Sequence, residues 1–274
     1  LDEMESPLLY VSNPTIDVVR DAGGSAYRSV GGPGLHGSWA AARLGVREIY
    51  LVGMAGLSEA DLIVGAYRSR GVEPILLDAE CTATFIHTYI GGGRRTEIKC
   101  APGSMPAARV LKLVSELRPR IIIVAPVYDE VKPSLAAELR EYCELSMIDL
   151  QGFIRSRLLE EVLKLRAVFS AIHFSSDDVP EAEAETLASR LLKVSPIVYY
   201  TRASRGVDVY LQGGFVKHVS VKVIEGDPTG AGDVFTTASA IMLSRGVGPV
   251  EAAETAATLA SAYVARRAQR GKYA

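Results

Sequence analysis

The chain has 274 residues, 48% of them hydrophobic, and a formal net charge of −2. That is enough to bury a sizeable core in one large domain, and the near-neutral balance leaves no electrostatic footprint for nucleic acid. No apolar run approaches the length of a membrane span, and the opening LDEMESPLLYVSNP lacks the basic and apolar blocks of a secretory signal. These features predict a cytoplasmic protein with neither a nucleic-acid nor a membrane partner. Cys81, Cys100 and Cys143 are odd in number and show no C-x-x-C spacing. Structural thiols in a reducing compartment are expected, with a Cys81–Cys100 disulfide as the alternative. The four histidines share no metal-ligand spacing.

In chain order, Leu8 to Ser12 reads as a short buried strand ending at the turn Asn13-Pro14. Residues 18–30 are mixed and glycine-rich, so a strand there is exposed. Residues 34–44 read as a helix closed by Gly45, 49–52 as a strand, and 60–70 as a helix stopped by Gly71. Residues 84–90 and 94–99 flank Gly91-Gly92-Gly93 as a hairpin outside the main rhythm. From Pro106 onward, helices at 106–117, 133–142 and 180–193 alternate with strands at 121–125, 145–149, 167–171 and 197–201. Continuous apolar strands between amphipathic helices predict a mostly parallel sheet covered on both faces. A second hairpin at 207–219 and helices at about 232–245 and 249–267 complete the chain. The exposed strands look like a small sheet inserted into a three-layer α/β/α core.

The stretch GGPGLHG contains G-x-G-x-x-G from Gly32 to Gly37, the spelling of a dinucleotide-binding turn. That reading fails on context. No buried strand precedes the motif directly, and the next strand ends at Gly53 and Met54 rather than at an acid for a ribose.

The stretch EGDPTGAGDVF, 225–235, sits between a strand and a helix. Asp227-Pro228 with Gly230 and Gly232 makes a tight turn, and Val234, Ala238, Ile241 and Met242 have the spacing of a buried helix face. The turn therefore opens a helix whose free amides at Gly230, Ala231 and Gly232 form an anion site. Asp233 places a carboxylate beside it, as a reacting group or as a simple helix cap.

Together these motifs resemble the PfkB, or ribokinase-like, family of carbohydrate kinases. The chain spells GGPGLHGSWAAARLG from Gly31 to Gly45 and DPTGAGD from Asp227 to Asp233, in the family's order and at suitable separation. The resemblance implies one ribokinase-like kinase domain over 1–274, with a β lid formed from about 18–32 and 82–101. It implies Asp233 as general base, with the amides of Gly230, Ala231 and Gly232 around the transferring phosphoryl group. It places Asp17, Gly31, Gly32 and His36 on the substrate, His36 standing where Asn is usual. Thr201, Ala203 and Gly206, with Asp227 and Thr229, fall on the nucleotide, Ala203 standing where Gly is usual. In FSSDD, Ser175 and Asp178 occupy the Asn and Glu places of a degenerate element that organises Mg²⁺ through water. ATP and Mg²⁺ are the implied co-substrate and cofactor, since the metal arrives with the nucleotide and needs few protein ligands.

IDLQGFIR at 148–155, with DPTGAGD and FSSDD, is similar to the family's inositol-kinase branch, which brings Asp149 and Gln151 to the substrate. The expected acceptor is a neutral polyol, myo-inositol before an unphosphorylated sugar, with Thr84, Thr88 and Tyr89 as polar lid groups. Arg94 and Arg95 offer a clamp for a sugar phosphate instead. A nucleoside kinase would use Tyr27, Trp39, Phe85 or Tyr89 for stacking. The departures at His36, Ala203 and Ser175 leave open a ligand-binding protein without turnover. Exposed lid edges make a homodimer the expected assembly.

Overall fold

A computed structural model describes residues 7–20, 26–90, 93–166, 169–222, 224 and 226–270. The chain opens with β1 (Leu8–Val11), β2 (Thr15–Arg20) and β3 (Ala26–Gly31), then α1 (Pro33–Arg43), β4 (Ile49–Gly56) and α2 (Leu57–Arg68). Next come β5 (Val72–Ala79), the hairpin β6 (Ala83–Ile90) and β7 (Gly93–Cys100), then α3 (Ala107–Leu117) and β8 (Ile121–Val124). There follow α4 (Pro133–Leu139), β9 (Leu145–Asp149), α5 (Gln151–Arg155), α6 (Leu159–Val162), β10 (Ala171–Ser175) and α7 (Glu181–Leu191). The last elements are β11 (Ile197–Thr201), the hairpin β12 (Val207–Leu211) and β13 (Gly214–Val219), α8 (Ala231–Ser244) and α9 (Pro249–Arg270).

The main sheet has the order β13-β12-β11-β10-β9-β8-β1-β4-β5, and its seven strands from β11 to β5 run parallel. Alternation along each strand divides the core between the two faces. Leu8 and Tyr10 pack with Val234, Ala238 and Ala253 against α1, α2, α8 and α9. Leu9 and Val11 pack with Val110, Leu135 and Leu187 against α3, α4 and α7. The result is the expected three-layer α/β/α core. Among the described residues, no helix is long and apolar enough to cross a membrane.

The second sheet, β3-β2-β6-β7, contains the hairpin and the exposed strands. Register sorts its side chains. Asp17 pairs with Ser29 and Phe85, while Val19 pairs with Tyr27 and His87, and Thr96 lies opposite His87. These residues share one face. Thr84, Thr88, Arg28 and Arg95 pair at the alternate positions and so occupy the other face.

Three sequence expectations change. The strand expected at 167–171 overlaps the observed β10 only at Ala171; residues 167–168 lie outside the described set. A polar His173 interrupts the later half of that apolar stretch, so apolar continuity pointed to the earlier half. β5 was not anticipated because Pro74 breaks its pattern, yet proline is tolerated on an edge strand, and β5 is an edge. The cysteines are not all thiols. Cys81 and Cys100 form a disulfide across the base of the β6–β7 hairpin, with their Cα atoms 6.6 Å apart. Register explains it: Cys100 pairs with Thr84, three residues beyond Cys81, a proximity that linear spacing does not display. Cys143 remains free.

The bond closes a loop with a sequence separation of 19, and removing one that size costs about 3 kcal/mol. Cys100→Ser is therefore expected to melt several degrees below the parent, and reductant should lower the parent's Tm toward the variant's. A parent melting curve unmoved by reductant would show that the bond does not form in solution.

Candidate active site

The C-terminal ends of β9, β10 and β11 meet the N-terminus of α8, the place where open α/β sheets bind ligands. Gly230 caps α8 at φ 82, in the left-handed region that favours glycine. A Cβ there would also come within 2.6 Å of His36 Nδ1, so the imidazole braces the turn from behind. His36 Nδ1 lies 2.8 Å from the Tyr263 hydroxyl on α9. Burial first, and then the Arg267 charge, push the His36 pKa down to about 4, which keeps the ring neutral at physiological pH.

The amides around the turn divide into used and free. Ala231 N–H donates to Pro228 O at 2.9 Å, and Thr229 N–H donates to Asp227 Oδ1 at 3.0 Å. The amides of Gly230, Gly232 and Asp233 make no bond to the described residues. The expectation for Ala231 is therefore corrected: a backbone acceptor closing the turn consumes its N–H. Asp227 is held a second time by Arg267 of α9. Burial raises the Asp227 carboxyl, but Thr229 and Arg267 outweigh it and leave the pKa below the usual carboxylate range.

Asp233 is the third residue of this helix and has no hydrogen bond or ion pair of its own among the described residues. Its pKa is raised to about 8, first by burial, then by the charges of Asp149 and Asp17, with Arg155 opposing. A strongly perturbed carboxylate beside unpaired helix amides is a typical signature of a functional site.

On the lid, Asp17 lies over Gly31. A Cβ on Gly31 would overlap the Asp17 carboxylate and come 2.6 Å from Thr15 Oγ1, so only glycine admits the acid there. His87 Nε2 is 3.5 Å from Asp17 Oδ1, and His87 Nδ1 is 3.0 Å from Thr96 Oγ1. Phe85 stacks on His87 with a centroid separation of 6.4 Å and packs on Val127. Thr84 and Thr88 occupy the opposite face, so their expected place beside the substrate is corrected. The Tyr89 and Arg94 side chains lie outside the described set. Arg95 pairs with Glu97 at 2.8 Å on the face away from Asp17. Trp39 is buried in the core against Tyr263 and Arg43, out of reach of a ligand, while Tyr27 is exposed.

Asp149 is also placed differently from the reading that brought it to the substrate. Its Oδ1 accepts from Gln151 N–H at 2.9 Å, and its Oδ2 lies 2.7 Å from His173 Nδ1 and 3.2 Å from Thr236 Oγ1. Burial alone would raise this carboxyl, but the His173 charge and hydrogen bond outweigh it and the pKa falls. Gln151 begins α5 beside it with a partly exposed side chain.

Of the residues expected on the nucleotide, Thr201 ends β11 and Ala203 adopts φ 49, left-handed backbone where glycine would rest more easily. Gly206 follows at φ 99. Asp178 accepts from Ser175 Oγ at 2.7 Å, and burial, with Asp149 nearby, raises its pKa. Among the described residues no group of three His, Cys, Asp or Glu side chains could hold a metal directly. A Mg²⁺ ion that arrives on a phosphate ligand would need no such group, and Asp178 is the acid the sequence assigns to it.

Two residues were invisible to motif reading. His173 lies inside an apolar strand, and Glu130, 1% exposed, takes the amides of Asn13, Val127 and Tyr128 at 2.7–3.0 Å. Glu130 thereby ties the ends of β1 and β8 together below the lid. A buried acid in an otherwise ordinary loop was the only available signal.

A three-layer α/β/α fold with a β lid, an anion turn and a raised carboxylate defines a small-molecule phosphotransferase. The model of the pfkB family carbohydrate kinases matches residues 11–271, so the chain belongs to that family, whose members phosphorylate sugars and other alcohols. Among curated proteins, no sequence matches the chain. Among solved structures it is similar to a pyrophosphate-dependent kinase in the ribokinase family complexed with a pyrophosphate analog and myo-inositol (TM-score 0.76, 20% identity, 94% of each chain covered). Ribokinase from Thermotoga maritima is alike to the same degree (0.76, 20%, 97% and 95% covered). Adenosine kinase from Sinorhizobium meliloti follows (0.72, 15%, 98% and 100%).

Proposed function

We propose that this kinase transfers a phosphoryl group to a hydroxyl of a neutral polyol, myo-inositol first and an unphosphorylated sugar next. The lid's sidedness carries the reading. Arg95 is on the other face and Arg94, opposite Tyr89, falls on this one only toward the hairpin turn, while the neighbours of Asp17 on its face are Ser29, Phe85 and His87, with Thr96 beyond. A carboxylate and an imidazole suit hydroxyls, and the Phe85 ring suits the C–H face of a carbon ring. A sugar phosphate needs a cation there. The likeness to the kinase complexed with myo-inositol adds support.

In the mechanism, Asp17 holds acceptor hydroxyls beside Gly31 and Gly32, with Gln151 at the edge of the pocket and His36 bracing the turn from behind. Asp233 takes the proton of the attacking hydroxyl as the new O–P bond forms and the bond to the leaving phosphate breaks. The free amides of Gly230, Gly232 and Asp233, at the positive end of α8, hold the charge that spreads over the transferring group. Thr201, Ala203, Gly206, Asp227 and Thr229 line the donor side. Asp178 would help steady a Mg²⁺ ion brought in with the donor, which would supply charge neutralisation on its phosphates.

The donor in this reading is ATP. Pyrophosphate is a second reading, favoured by the likeness to kinases described as pyrophosphate-dependent. The lid edges β3 and β7 lead us to include a homodimer through the lid, and sedimentation of the pure protein tests it. A cytoplasmic location belongs to the same reading, although the Cys81–Cys100 bond would be unusual in a mesophile's reducing cytosol.

The test is kcat/KM for myo-inositol, ribose, a nucleoside and fructose 6-phosphate, each with MgATP and then with magnesium pyrophosphate. A neutral polyol is expected to lead. A tenfold preference for fructose 6-phosphate would overturn the choice and point to Arg94. A preference for the nucleoside would point to Phe85 and Tyr27 as stacking surfaces. Absence of turnover with every pair would favour a binding protein.

A further inference from the structure

His173 lies in the middle of β10, 2% exposed, flanked in sequence by the fully buried Ile172 and Phe174. An apolar side chain would suit this position, since burying an imidazole is costly unless both nitrogens are bonded. Both are. Nδ1 lies 2.7 Å from Asp149 Oδ2 and 3.0 Å from Thr236 Oγ1, and Nε2 lies 2.9 Å from Thr201 Oγ1. A carboxylate only accepts, so Nδ1 carries a proton and donates it to Asp149.

The chain Asp149–His173–Thr201 therefore runs across three adjacent parallel strands, from the end of β9 through the middle of β10 to the end of β11. It passes under the anion turn: a Cβ on Gly232 would lie 3.7 Å from His173 Cε1. Thr236, one turn into α8, joins the same network from above, and Phe235 closes over the ring with centroids 5.3 Å apart. The inner end of the chain is sealed, with Asp149 8% exposed and Thr236 1% exposed. The outer end, Thr201, is the only partly exposed member. A hydroxyl is a free rotor, and its direction is set by the partner that holds it. Here that partner is Nε2.

We propose that His173 is a positioning residue for the phosphoryl donor, acting through the Thr201 hydroxyl, with Asp149 fixing the ring. The inference rests on the donor lying at the end of β11. Where Nε2 accepts the Thr201 proton, the oxygen offers its lone pairs to an N–H or O–H group of the donor; where Nε2 donates, the Thr201 proton is left for a phosphate oxygen. Either state removes the rotational freedom of a group that would otherwise have to be ordered when the donor binds. Asp149 acts one step further back, consistent with both its oxygens being occupied by protein donors.

The experiment is a double-mutant cycle on the whole protein, reading KM for donor and acceptor separately, with donor Kd by titration calorimetry. His173→Asn keeps an amide toward Asp149 and loses the contact to Thr201; Thr201→Val removes the hydroxyl at nearly constant shape. Each is expected to raise donor KM or Kd roughly fivefold to tenfold, the worth of one buried hydrogen bond, and to move acceptor KM less than about twofold. The double variant should be no worse than Thr201→Val, because the two act in series. His173→Gln, which returns an amide to the Nε2 position, and Thr201→Ser should each recover part of the loss. Additive losses, equal losses in donor and acceptor KM, or a fall in Tm with unchanged donor affinity would each overturn the positioning role. An unchanged donor affinity in Thr201→Val alone would remove Thr201 from the donor site and take the inference with it. Turnover with a neutral polyol in that variant would still leave the proposed function standing.

Discussion

Asp233→Asn is expected to lower kcat by roughly 10²- to 10⁴-fold, the contribution of a positioned general base. The amide keeps the shape of the carboxyl and cannot accept the proton. More than about a tenth of the parent's kcat remaining would remove Asp233 from that role. The raised pKa adds two signatures. In the free enzyme the carboxyl holds its proton below a pH of about 8, so the parent's kcat/KM should rise with pH up to that region and then level off. The stability sign follows from linkage. The folded pKa of about 8 lies above the ordinary carboxylate value of 3.8, so between these the native state binds a proton that the unfolded chain has released. Native stability therefore falls as pH rises through that window. Asn removes the cost, so the variant should match the parent's Tm near pH 4 and exceed it increasingly toward pH 8. Each kcal/mol recovered is worth roughly 2–4 °C in a large domain. An inactive variant with no such gain would mean that the parent's carboxyl is not desolvated.

The parts of this site that rely on local chemistry were readable from the chain. DPTGAGD followed by an apolar helix face specifies a turn and a free helix N-terminus without knowledge of the rest of the fold. The strands 145–149 and 197–201 were equally plain, because short, mostly apolar runs between amphipathic helices read as buried strands of a parallel sheet. What the chain concealed depends on pairing. Thr84 and Thr88 looked like lid ligands until the register with β2 put them on the face away from Asp17. Cys81 and Cys100 are distant in sequence and meet only when the hairpin closes with a bulge between Thr84 and Phe85. Ala231 seemed to offer a free amide, but the turn folds Pro228 O onto it. The resemblance of IDLQGFIR to the inositol-kinase branch gave Asp149 a substrate role, and its commitment to His173 and Thr236 requires three elements to be assembled first. His173 was missed with it, since shifting β10 four residues early left the histidine beyond the strand.

Gly232→Ala separates a glycine kept for the ligand from one kept for the fold. A Cβ at Gly230 would meet the His36 ring and would have to be carried at φ 82, so alanine there should lower Tm as well as activity. At Gly232 the backbone is already helical, and the nearest atom to a new Cβ is His173 Cε1 at an ordinary 3.7 Å. Alanine in a helix also avoids the conformational cost of glycine, so the folded protein should be unharmed or slightly stabilised. Activity is another matter. The Gly232 amide is unbonded within the described residues, and in the proposed mechanism a methyl on the Gly232 Cα crowds the phosphoryl oxygen that approaches that amide. Displacing that oxygen from a preorganised donor is expected to cost about 10²-fold or more in kcat, the scale of losing one oxyanion-type contact. Gly232→Ala should thus melt at or above the parent's Tm while turning over at about a hundredth of its rate or less. A variant with near-parental kcat would show that the phosphoryl group does not pass over Gly232, and would move the transfer site along the turn toward Gly230. A lowered Tm with unchanged kcat would make the turn structural, leaving Asp233 without the anion site that its role requires.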